Sequence, residues 1–521
     1  MVISAAQLTA EPAPAPAGPA IDGARFRAML AAAAATMGPA HVVAGEAALA
    51  EHAANTFPWA ARTLAVLRPG TAEEARAAIA LVADHGFAIH PIARGRAWGL
   101  SGASPPRDAV VLDLSRLDRI LHLDPDRGTV RVEPGVTFAA MQAELERRGA
   151  TWHLPAFGGP PDAIILANAL DRGEGDSQYG DRFAQIWDLD VALTTGERFR
   201  TGYGRYARDG LETAHARPGG PLLEGLFSQS GFGCVLSARL GLAPNAAFTA
   251  MIVFEIGAKA NLAPFVAALR DLVRDGIVEA HDAFLWDNAK RLASAGIRAD
   301  FDPAELAAID MSEWSATIAI RANHELMRDA KRAIAMSALA PHCQGMSTDG
   351  DAGAEEAAIG HRDLTGFSDG RNVTSCYWAK ARLPDGMPNA ARDRCGFLWV
   401  CPALPLEGRA LEILSIVSER VAAAHGVFVM TGVEVVSPRA LHGYVSFAWD
   451  RDEPGADARA MDAHRMMTEA HAELGFHAYR PTWPGLADTA PADPAFLAVL
   501  ARLRAALDPA GLMSPGRVAG L

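Results

Sequence analysis

The sequence predicts an α+β protein with two folded regions. Between about residues 60 and 247, short apolar strands alternate with amphipathic helices and glycine-rich loops. From about residue 248 the order strand, helix, strand, helix occurs twice, which predicts helices packed on a sheet. The chain has 521 residues, of which half are hydrophobic and 21% are charged, so it can bury a large core without disulfides or metals.

The N-terminal segment, residues 1–20, alternates alanine and proline, which is typical of a disordered arm. It has no basic stretch and no sustained apolar run, so we expect no signal peptide. No apolar run in the chain reaches the roughly 18 residues that span a bilayer. The expected location is therefore cytoplasmic, with no membrane contact.

The first region begins with an alanine-rich, helical stretch to about residue 60 and a strand ending at Pro69. Thr71 is placed to cap the next helix, and Gly86 to end it. The strand AIHPIA then leads into a loop with three glycines, followed by three more strands and the helix FAAMQAELERRG. A second glycine-rich stretch precedes IWDLDVAL-TTGE-RFRTG, whose pattern predicts a β-hairpin.

The second region is predicted from the same periodicities. The expected strands cover 248–256, 316–322, 396–404, 427–436 and 443–450, and the expected helices cover 265–275, 324–335, 410–425 and 458–474. A polar, glycine-rich insertion lies around 345–372, and a last helix is expected over 494–507.

Charge and motif content exclude several function classes. The formal net charge of −13 argues against nucleic-acid binding, which needs a basic face. The five cysteines are scattered, with no C-x-x-C pair, so neither a disulfide framework nor a metal site is expected. The cluster His342, Cys343, His361 and Cys376 fits no metal-binding spacing, and we predict no metal.

Nucleotide and hydrolase motifs are also absent from the sequence. The stretch Gly202 to Ala207 matches the loose pattern G-x-G-x-x-A, but no clean apolar helix and no ribose-binding acid follow it. There is no Walker A motif, no H-E-x-x-H and no G-x-S-x-G.

The loop RGRAWGLSG, residues 94–102, is the first informative motif. A glycine-rich loop after a strand can present successive backbone N–H groups to a phosphate. Its two arginines add charge complementarity to an anion. The alternative interpretation is an ordinary turn.

Read together with the second glycine-rich stretch, the chain resembles the FAD-linked oxidoreductases of the vanillyl-alcohol oxidase / p-cresol methylhydroxylase (VAO/PCMH) family. The matching motifs run in family order over roughly residues 60–521: ARGRAWGLSGASP, VVLDLSRLDRIL, VRVEPGVTFAAM, NALDRGEGDSQYGDRF, LTTGERFRTG, GLFSQSGFGCVLSARLGLAP, Tyr479-Arg480 and DPAGLMSPGR. The resemblance implies a PCMH-type two-subdomain FAD-binding domain over 21–247 and an α+β cap domain, with helices on an antiparallel sheet, over 248–474. The segment 475–521 would return to the FAD domain.

The resemblance also implies a set of cofactor residues. The first loop would hold the pyrophosphate through Arg94, Gly95, Arg96, Ala97, Trp98, Gly99 and Leu100, with the turn Pro134-Gly135 beside it. Other implied contacts are Asn168, Arg172, Gly173, Gly175, Tyr179, Gly180 and Asp181 along the cofactor, Cys234 and Val235 at the adenine end, and Arg517 near the flavin. The glycines could form turns without any cofactor, whereas the arginines need an anionic partner.

Three family positions differ here. A tyrosine that contacts phenolate in the first loop is replaced by Leu100. The position that carries a covalent histidine linkage in the family is Phe397, and the tyrosine alternative falls near Asn389, so we predict non-covalent FAD. The acid near the reactive flavin nitrogen matches Ala156 poorly, with Asp162 close by.

The resemblance therefore predicts an FAD-dependent oxidoreductase that takes a hydride from an aromatic or phenolic substrate, or from a related alcohol or amine. Tyr479 and Arg480 would bind a substrate oxygen and favour its anionic form, and His442 or Asp162 would take a proton. The aromatic residues Trp399, Tyr377 and Trp378 would line the pocket or belong to the core.

Two alternatives remain at this stage: a flavoenzyme oxidising a sugar, hydroxy acid or biosynthetic intermediate, and a non-catalytic flavin-fold partner subunit. Oxygen or a redox protein such as a cytochrome would accept the electrons, and family members commonly form dimers, so we expect a homodimer.

Overall fold

The structure is a computed structural model that describes residues 22–155, 158–206, 214–309, 313–348, 370, 373–486 and 493–518. The expected disordered arm, most of the polar insertion and Ala156 lie outside these residues. The described part contains three larger sheets, of four, five and eight strands, and one separate two-stranded sheet.

The four-stranded sheet and its helices form the first subdomain. Its elements are α1 (Gly23–Met37), β1 (Val42–Val43), α2 (Glu46–Ala53), β2 (Thr63–Leu67), α3 (Ala72–Asp84), β3 (Ile89–Ile92) and β4 (Ala109–Asp113). The strand order is β1-β2-β4-β3, with β4 parallel to both of its neighbours. Thr71 caps α3 as predicted, because its hydroxyl accepts the Glu74 N–H at 3.1 Å. The apolar face of α3, with Ile79 and Val82, packs in one core with Leu112.

The five-stranded sheet forms the second subdomain. Its elements are β5 (Ile120–Asp124), β6 (Thr129–Val132), α4 (Phe138–Arg147), β7 (Trp152–His153), α5 (Ile165–Leu170), β8 (Ile186–Ala192), β9 (Arg198–Arg200), β10 (Cys234–Gly241) and β11 (Ala243–Pro244). The antiparallel order is β5-β6-β10-β8-β9, and β7 pairs with β11. The predicted hairpin is confirmed as β8–β9, with Val191 opposite Phe199. The six-residue α5 was not predicted, since one and a half turns within a glycine-rich stretch give almost no helical period.

The eight-stranded sheet and its helices form the cap. Its elements are β12 (Phe248–Gly257), α6 (Leu262–Arg274), β13 (Ala283–Asp287), α7 (Asn288–Ala295), α8 (Pro303–Ala307), β14 (Trp314–Ala322), α9 (Glu325–Leu339), β15 (Gly345–Thr348), α10 (Thr374–Tyr377), β16 (Cys395–Val400), β17 (Ala403–Pro405), α11 (Gly408–His425), β18 (Phe428–Ser437), β19 (Ala440–Asp450) and α12 (Ala456–Glu473). The sheet is antiparallel in the order β15-β12-β14-β13-β18-β19-β16, and β17 pairs with β19. The predicted α+β layer is therefore confirmed, although β13 and α7 were not predicted, and one predicted strand divides into β16 and β17.

The period-two alternation of the cap strands separates two faces of the sheet. One face buries Leu285, Leu398 and Val433 in the core beneath the helices, where the amphipathic α6 packs. The neighbouring residues of the same strands point to the opposite face and line a cavity. The antiparallel pleat thus directs chemically active side chains toward the first two subdomains.

The C-terminal segment connects the cap to the first subdomain. Ala478 pairs with Pro402 of the cap, while α13 (Pro494–Leu507) leads to a tail beside β3. The Ile89 N–H donates to the carbonyl of Leu512 at 2.8 Å, and the Ser514 N–H donates to the carbonyl of Ile89 at 2.7 Å. No helix within the described ranges is both long and apolar enough to cross a membrane.

Candidate active site

A cavity of about 440 Å³ lies where the first loop, α5, the C-terminal segment and the inner face of the cap sheet meet. Its first wall comes from the two N-terminal subdomains, and its second wall comes from β13, α7, β16, β18 and β19 of the cap. A concave site of this kind, bordered by several elements, is the arrangement that binds small molecules and cofactors.

The first loop is held in a compact form by its own backbone. Arg94, Gly95, Gly99 and Gly102 all have positive φ angles, between 61° and 76°. The N–H groups of residues 100–102 donate to the carbonyl of Ala97 at 3.0–3.1 Å, so these three donors face inward. The N–H groups of Gly95 and Trp98 are also bonded within the loop, to the carbonyls of Ala93 and Arg96 at 2.9 Å.

Gly99 docks the loop on the cap. Its N–H donates to Thr56 Oγ1 at 2.9 Å, and its carbonyl accepts the Trp399 N–H at 3.0 Å. A Cβ atom at this position would lie 2.6 Å from the Trp399 ring and 2.8 Å from that of Phe397. Glycine is required here both by the positive φ and by the close approach of two aromatic side chains.

The cavity brings together about half of the cofactor residues that the resemblance implied. Those that line it are Gly95, Arg96, Ala97, Trp98, Leu100, Pro134, Asn168, Gly175, Cys234, Val235 and Arg517. The others do not line it: Arg94, Gly99, Gly135, Arg172, Gly173, Tyr179, Gly180 and Asp181. The Gly173 Cα approaches the Asn168 side chain so closely that a Cβ would lie 2.1 Å from it.

Asp171, just after α5, is the centre of a charged cluster. Its carboxylate is bonded to Arg517 and lies 3.7 Å from Nη2 of Arg480. All three residues line the cavity, and their side chains are 9–18% exposed. The sequence motif contained Asp171, but nothing in the sequence pairs it with residues 309 and 346 positions away.

On the side of the first loop and the C-terminal segment, three buried donors in the cavity wall lack hydrogen-bond partners among the described residues. They are Nε1 of Trp98, Nε of Arg480 and Nη1 of Arg517. Buried donors are normally satisfied, so these point to an acceptor-rich ligand. FAD, with its pyrophosphate and the carbonyl groups of its flavin, fits this donor set and the arginine-flanked loop.

A second cluster connects two buried carboxylates through a tyrosine. Glu174 is bonded to His442 Nδ1 and to the hydroxyl of Tyr444, and that hydroxyl is also bonded to Glu434. Glu434 in turn accepts the Nδ1–H of His281 at 2.7 Å. Glu174, Glu434 and Tyr444 line the cavity, whereas the two histidines lie behind them.

The hydrogen-bond inventory of this cluster requires a shared proton. Tyr444 has one O–H and cannot donate to both carboxylates, so one carboxyl group must itself donate. Burial raises the pKa of Glu434. Burial also acts to raise the pKa of Glu174, but the hydrogen bonds from His442 and Tyr444 and the charges of His442 and His281 together outweigh it, so this pKa is lowered. We therefore assign the proton to Glu434, which leaves Glu174 ionised at the cavity surface.

Glu174, His281 and Glu434 also have side-chain atoms within 4.8 Å of one another, a geometry that could hold a metal ion. However, both oxygens of each glutamate are already hydrogen-bonded to Tyr444 or to a histidine. The described side chains therefore satisfy one another, and the cluster requires no ion.

Tyr479 lies beside this cluster. Its ring stacks on that of His442, with 3.7 Å between the centroids and 12° between the planes. Burial raises the pKa of Tyr479 well above its usual range, so the phenol keeps its proton. Tyr479 and Arg480 both line the cavity, and they present a neutral O–H donor beside a cation.

The structure places the other predicted residues as follows. Asp162 accepts from Nε of Arg96 at 3.0 Å and does not line the cavity, and His442 lies behind Glu174. Their role in proton transfer remains a prediction. Phe397 and Trp399 line it, but Tyr377 and Trp378 belong to a neighbouring apolar core. His361 lies outside the described residues.

Comparisons with known proteins agree with this geometry. A family model described as an FAD binding domain matches residues 63–202. The chain is 31% identical over 515 residues to 1'-carboxy-chondrochloren decarboxylase of Chondromyces crocatus, covering 92% of this chain and 95% of that protein. It is 23% identical over 469 residues to the flavoprotein subunit of 4-cresol dehydrogenase [hydroxylating] of Pseudomonas putida, covering 86% of each.

The fold is also that of a solved structure, p-cresol methylhydroxylase with substrate bound. The TM-score is 0.88 at 20% sequence identity, with 96% of this chain and 98% of that chain covered. The predicted architecture, an FAD-binding domain of two subdomains with an α+β cap, is thereby confirmed. From the full-length sequence similarity, the FAD-binding domain and the matching fold, we conclude that the chain belongs to the PCMH/VAO-type family of FAD-linked oxidoreductases.

Proposed function

We propose that this enzyme oxidises a small aromatic or phenolic substrate, or a related alcohol or amine, with non-covalently bound FAD. The observation that carries the proposal is the meeting of two clusters in one cavity. The donors of Tyr479 and Arg480 and the carboxylate of Glu174 face the same space as the FAD-binding loops. Beside the cofactor, the cavity thus offers donors that can bind a substrate oxygen and a carboxylate that can accept a proton.

FAD would be held by the first loop, by the residues around α5 and by Arg517. When bound, FAD supplies the two-electron acceptor that takes a hydride from the substrate. The Phe397 side chain in the cavity wall has no nucleophilic atom, and Asn389 does not line the cavity. These positions support dissociable FAD, which acid precipitation of the purified protein would release into the supernatant.

The side chains of the cap and C-terminal segment would orient the substrate and move its proton. The Tyr479 O–H and Nε of Arg480 donate to the substrate oxygen and stabilise negative charge that develops there. Glu174, ionised and facing the cavity, accepts the substrate proton, while Tyr444 and His442 hold its carboxylate in place. In this proposal Glu174 takes the role that the sequence assigned to His442 or Asp162.

The Arg480→Ala substitution tests the proposed oxygen-binding role. We expect turnover of a 4-alkylphenol or of its benzylic alcohol to fall by about a hundredfold or more, with flavin content unchanged. The matched control is Arg465→Ala, since Arg465 on α12 pairs only with exposed acids outside the cavity. If Arg480→Ala loses flavin, or keeps its turnover, the proposed role is wrong.

We further propose a cytoplasmic homodimer whose electrons pass to oxygen or to a redox protein. Rapid reoxidation of the substrate-reduced enzyme in air would identify an oxidase, and slow reoxidation would identify a dehydrogenase. Light scattering would measure the mass of the assembly in solution.

A second candidate function, oxidative decarboxylation, is favoured by the 31% identical relative, whose name is that of a decarboxylase. In a balanced reaction, a substrate Ar–CH2–CHR–COO⁻ loses a benzylic hydride to the cofactor. The C–C bond to the carboxylate then breaks, and its electron pair forms the new C=C bond as CO2 leaves. One CO2 per two electrons transferred would establish this reaction, and oxidation without CO2 would exclude it.

A further inference from the structure

Lys290 is a buried cation in the wall of the substrate cavity. It lies in the first turn of α7, its residue is 7% exposed, and it lines the cavity together with Trp286 and Trp399. Lysine is almost never buried to this extent unless it is paired. The proposed chemistry assigns no role to this residue.

Its ammonium group has no hydrogen bond or ion pair with any described residue. The carboxylate closest in sequence is that of Asp287, the N-cap of α7, but its two oxygens accept backbone N–H groups. Oδ1 accepts from Lys290 itself at 2.7 Å, and Oδ2 accepts from Thr431 at 2.9 Å. Asp287 therefore caps the helix and makes no direct ion pair with the Lys290 side chain, although its charge favours the protonated amine from a distance.

The surroundings of Nζ are aromatic and apolar. Nζ lies 4.6 Å from the centroid of Trp399 and 5.8 Å from that of Trp286. The aromatic faces partly stabilise the cation but do not replace an oxygen acceptor for its N–H groups. Burial lowers the pKa of Lys290 to about 8, so the amine remains mostly protonated at neutral pH.

The neighbouring backbone leaves room for this side chain. A Cβ at Gly432 of β18 would lie 3.3 Å from Cδ of Lys290 and 2.8 Å from the Trp286 ring. Glycine at this position therefore lets the lysine lie flat along the inner face of the sheet and reach the cavity.

We propose that Lys290 binds a carboxylate of the substrate, in the same cavity as the substrate oxygen held by Tyr479 and Arg480. This inference rests on the proposed function, because it adds a second anchor in the same cavity. A carboxylate supplies the missing counter-ion, and the surrounding tryptophans strengthen the pair by excluding water. The 31% identical relative is named for a carboxy compound, which favours a carboxylate over other anions.

Binding can be tested without turnover by titrating the FAD-loaded enzyme with two isosteric probes. The probes are 4-hydroxycinnamate and its neutral amide, which have no sp3 benzylic C–H to oxidise, and the readout is the change in flavin absorbance at pH 7. We expect the wild type to bind the carboxylate at least about tenfold more tightly than the amide. In Lys290→Met that preference should disappear, with affinity for the amide unchanged.

Stability of the variant without ligand provides an independent measurement. Because Lys290 makes no direct ion pair, Lys290→Met should retain or raise the melting temperature and retain its flavin. Equal affinity of the wild type for both probes, or a preference that survives in Lys290→Met, would overturn the proposal. Flavin loss in this variant would also overturn it, by placing Lys290 at the cofactor. Failure of the proposed function would give a different result. The substrate would not reduce the flavin, but the wild type would still bind the carboxylate probe more tightly than the amide.

Discussion

The two walls of the cavity are built by different means. The wall from the first two subdomains depends on backbone shape: glycines with positive φ, inward-facing N–H groups and the Asp171 carboxylate neutralised by arginines. The cap wall consists of regular β-strands whose alternate side chains carry the ionisable groups Glu434, Tyr444 and, just after β13, Lys290. In the proposed function the first wall holds the cofactor and supplies Glu174, and the cap wall positions Glu174 through Tyr444 and adds Lys290 for the substrate.

The largest effect should come from Asp171→Asn in the first wall. The substitution leaves Arg480 and Arg517 buried without their counter-ion, which typically costs about 3–5 kcal/mol. We expect this loss in the free energy of unfolding, measured by urea titration, together with a large decrease in bound flavin.

The matched control for this prediction is Asp271→Asn on α6, whose pair with Arg274 is exposed by 56% and 63%. Its cost should stay below about 1 kcal/mol. Equal costs for the two variants would show that the Asp171 cluster does not organise the first wall.

Substitutions of the two buried carboxyl groups, Glu174 and Glu434, should lower turnover to different extents. Glu174→Gln removes the ionised carboxylate and should lower turnover by about a hundredfold or more. Glu434→Gln replaces a carboxyl group that we assign as protonated with a neutral group of the same shape, so it should cost less than about tenfold. Steady-state rates at matched flavin content measure both, and a larger loss in Glu434→Gln would reverse the proton assignment.

Gly99→Ala should damage the contact between the two walls. The added Cβ meets Trp399 and Phe397 at a positive φ, and we expect a loss of about 2 kcal/mol with weaker flavin retention. Gly149→Ala is the control, because Gly149 also has a positive φ but no atom lies within 4 Å of its Cβ position. A similar loss in both would attribute the whole effect to backbone strain, not to docking.

The smallest effect is expected from His471, a buried residue of α12 in the cap, on the pH dependence of stability. Burial lowers the pKa of His471 to about 4, so the folded protein holds this histidine neutral while the unfolded chain binds a proton below about pH 6.5. Its contribution to stability is therefore lost as the pH falls from 6.5 toward 4. His471→Leu should reduce the acid-induced loss between pH 7 and pH 5 by up to about 1.8 kcal/mol.

Thermal unfolding across this pH range measures the effect, with the exposed His477→Leu as control. Flavin content and turnover at pH 7 should not change in either variant, since neither residue lines the cavity. An unaltered pH dependence in His471→Leu would contradict the assignment.

Much of this protein follows from its sequence alone. Hydrophobic periodicity predicted the hairpin, α3 and most cap strands and helices, because each pattern repeats over enough residues to be distinct. The ordered series of glycine-rich and Tyr-Arg motifs identified the family and its cofactor. The short α5 and the segment β13–α7 were not predicted, because an element of few residues with mixed exposure shows no clear hydrophobic period.

The catalytic arrangement was decided by the tertiary structure. Glu174 lies in the motif NALDRGEGDSQYGDRF, but its proposed role depends on Tyr444 and His442, about 270 residues away. Glu434 meets His281 only because β13 pairs with β18 in a register that sets Phe284 opposite Glu434. The sequence determines which elements form and which cofactor they hold. Which charges are paired and which are left facing the cavity depends on burial and long-range contacts, and these exist only once the sheets have packed together.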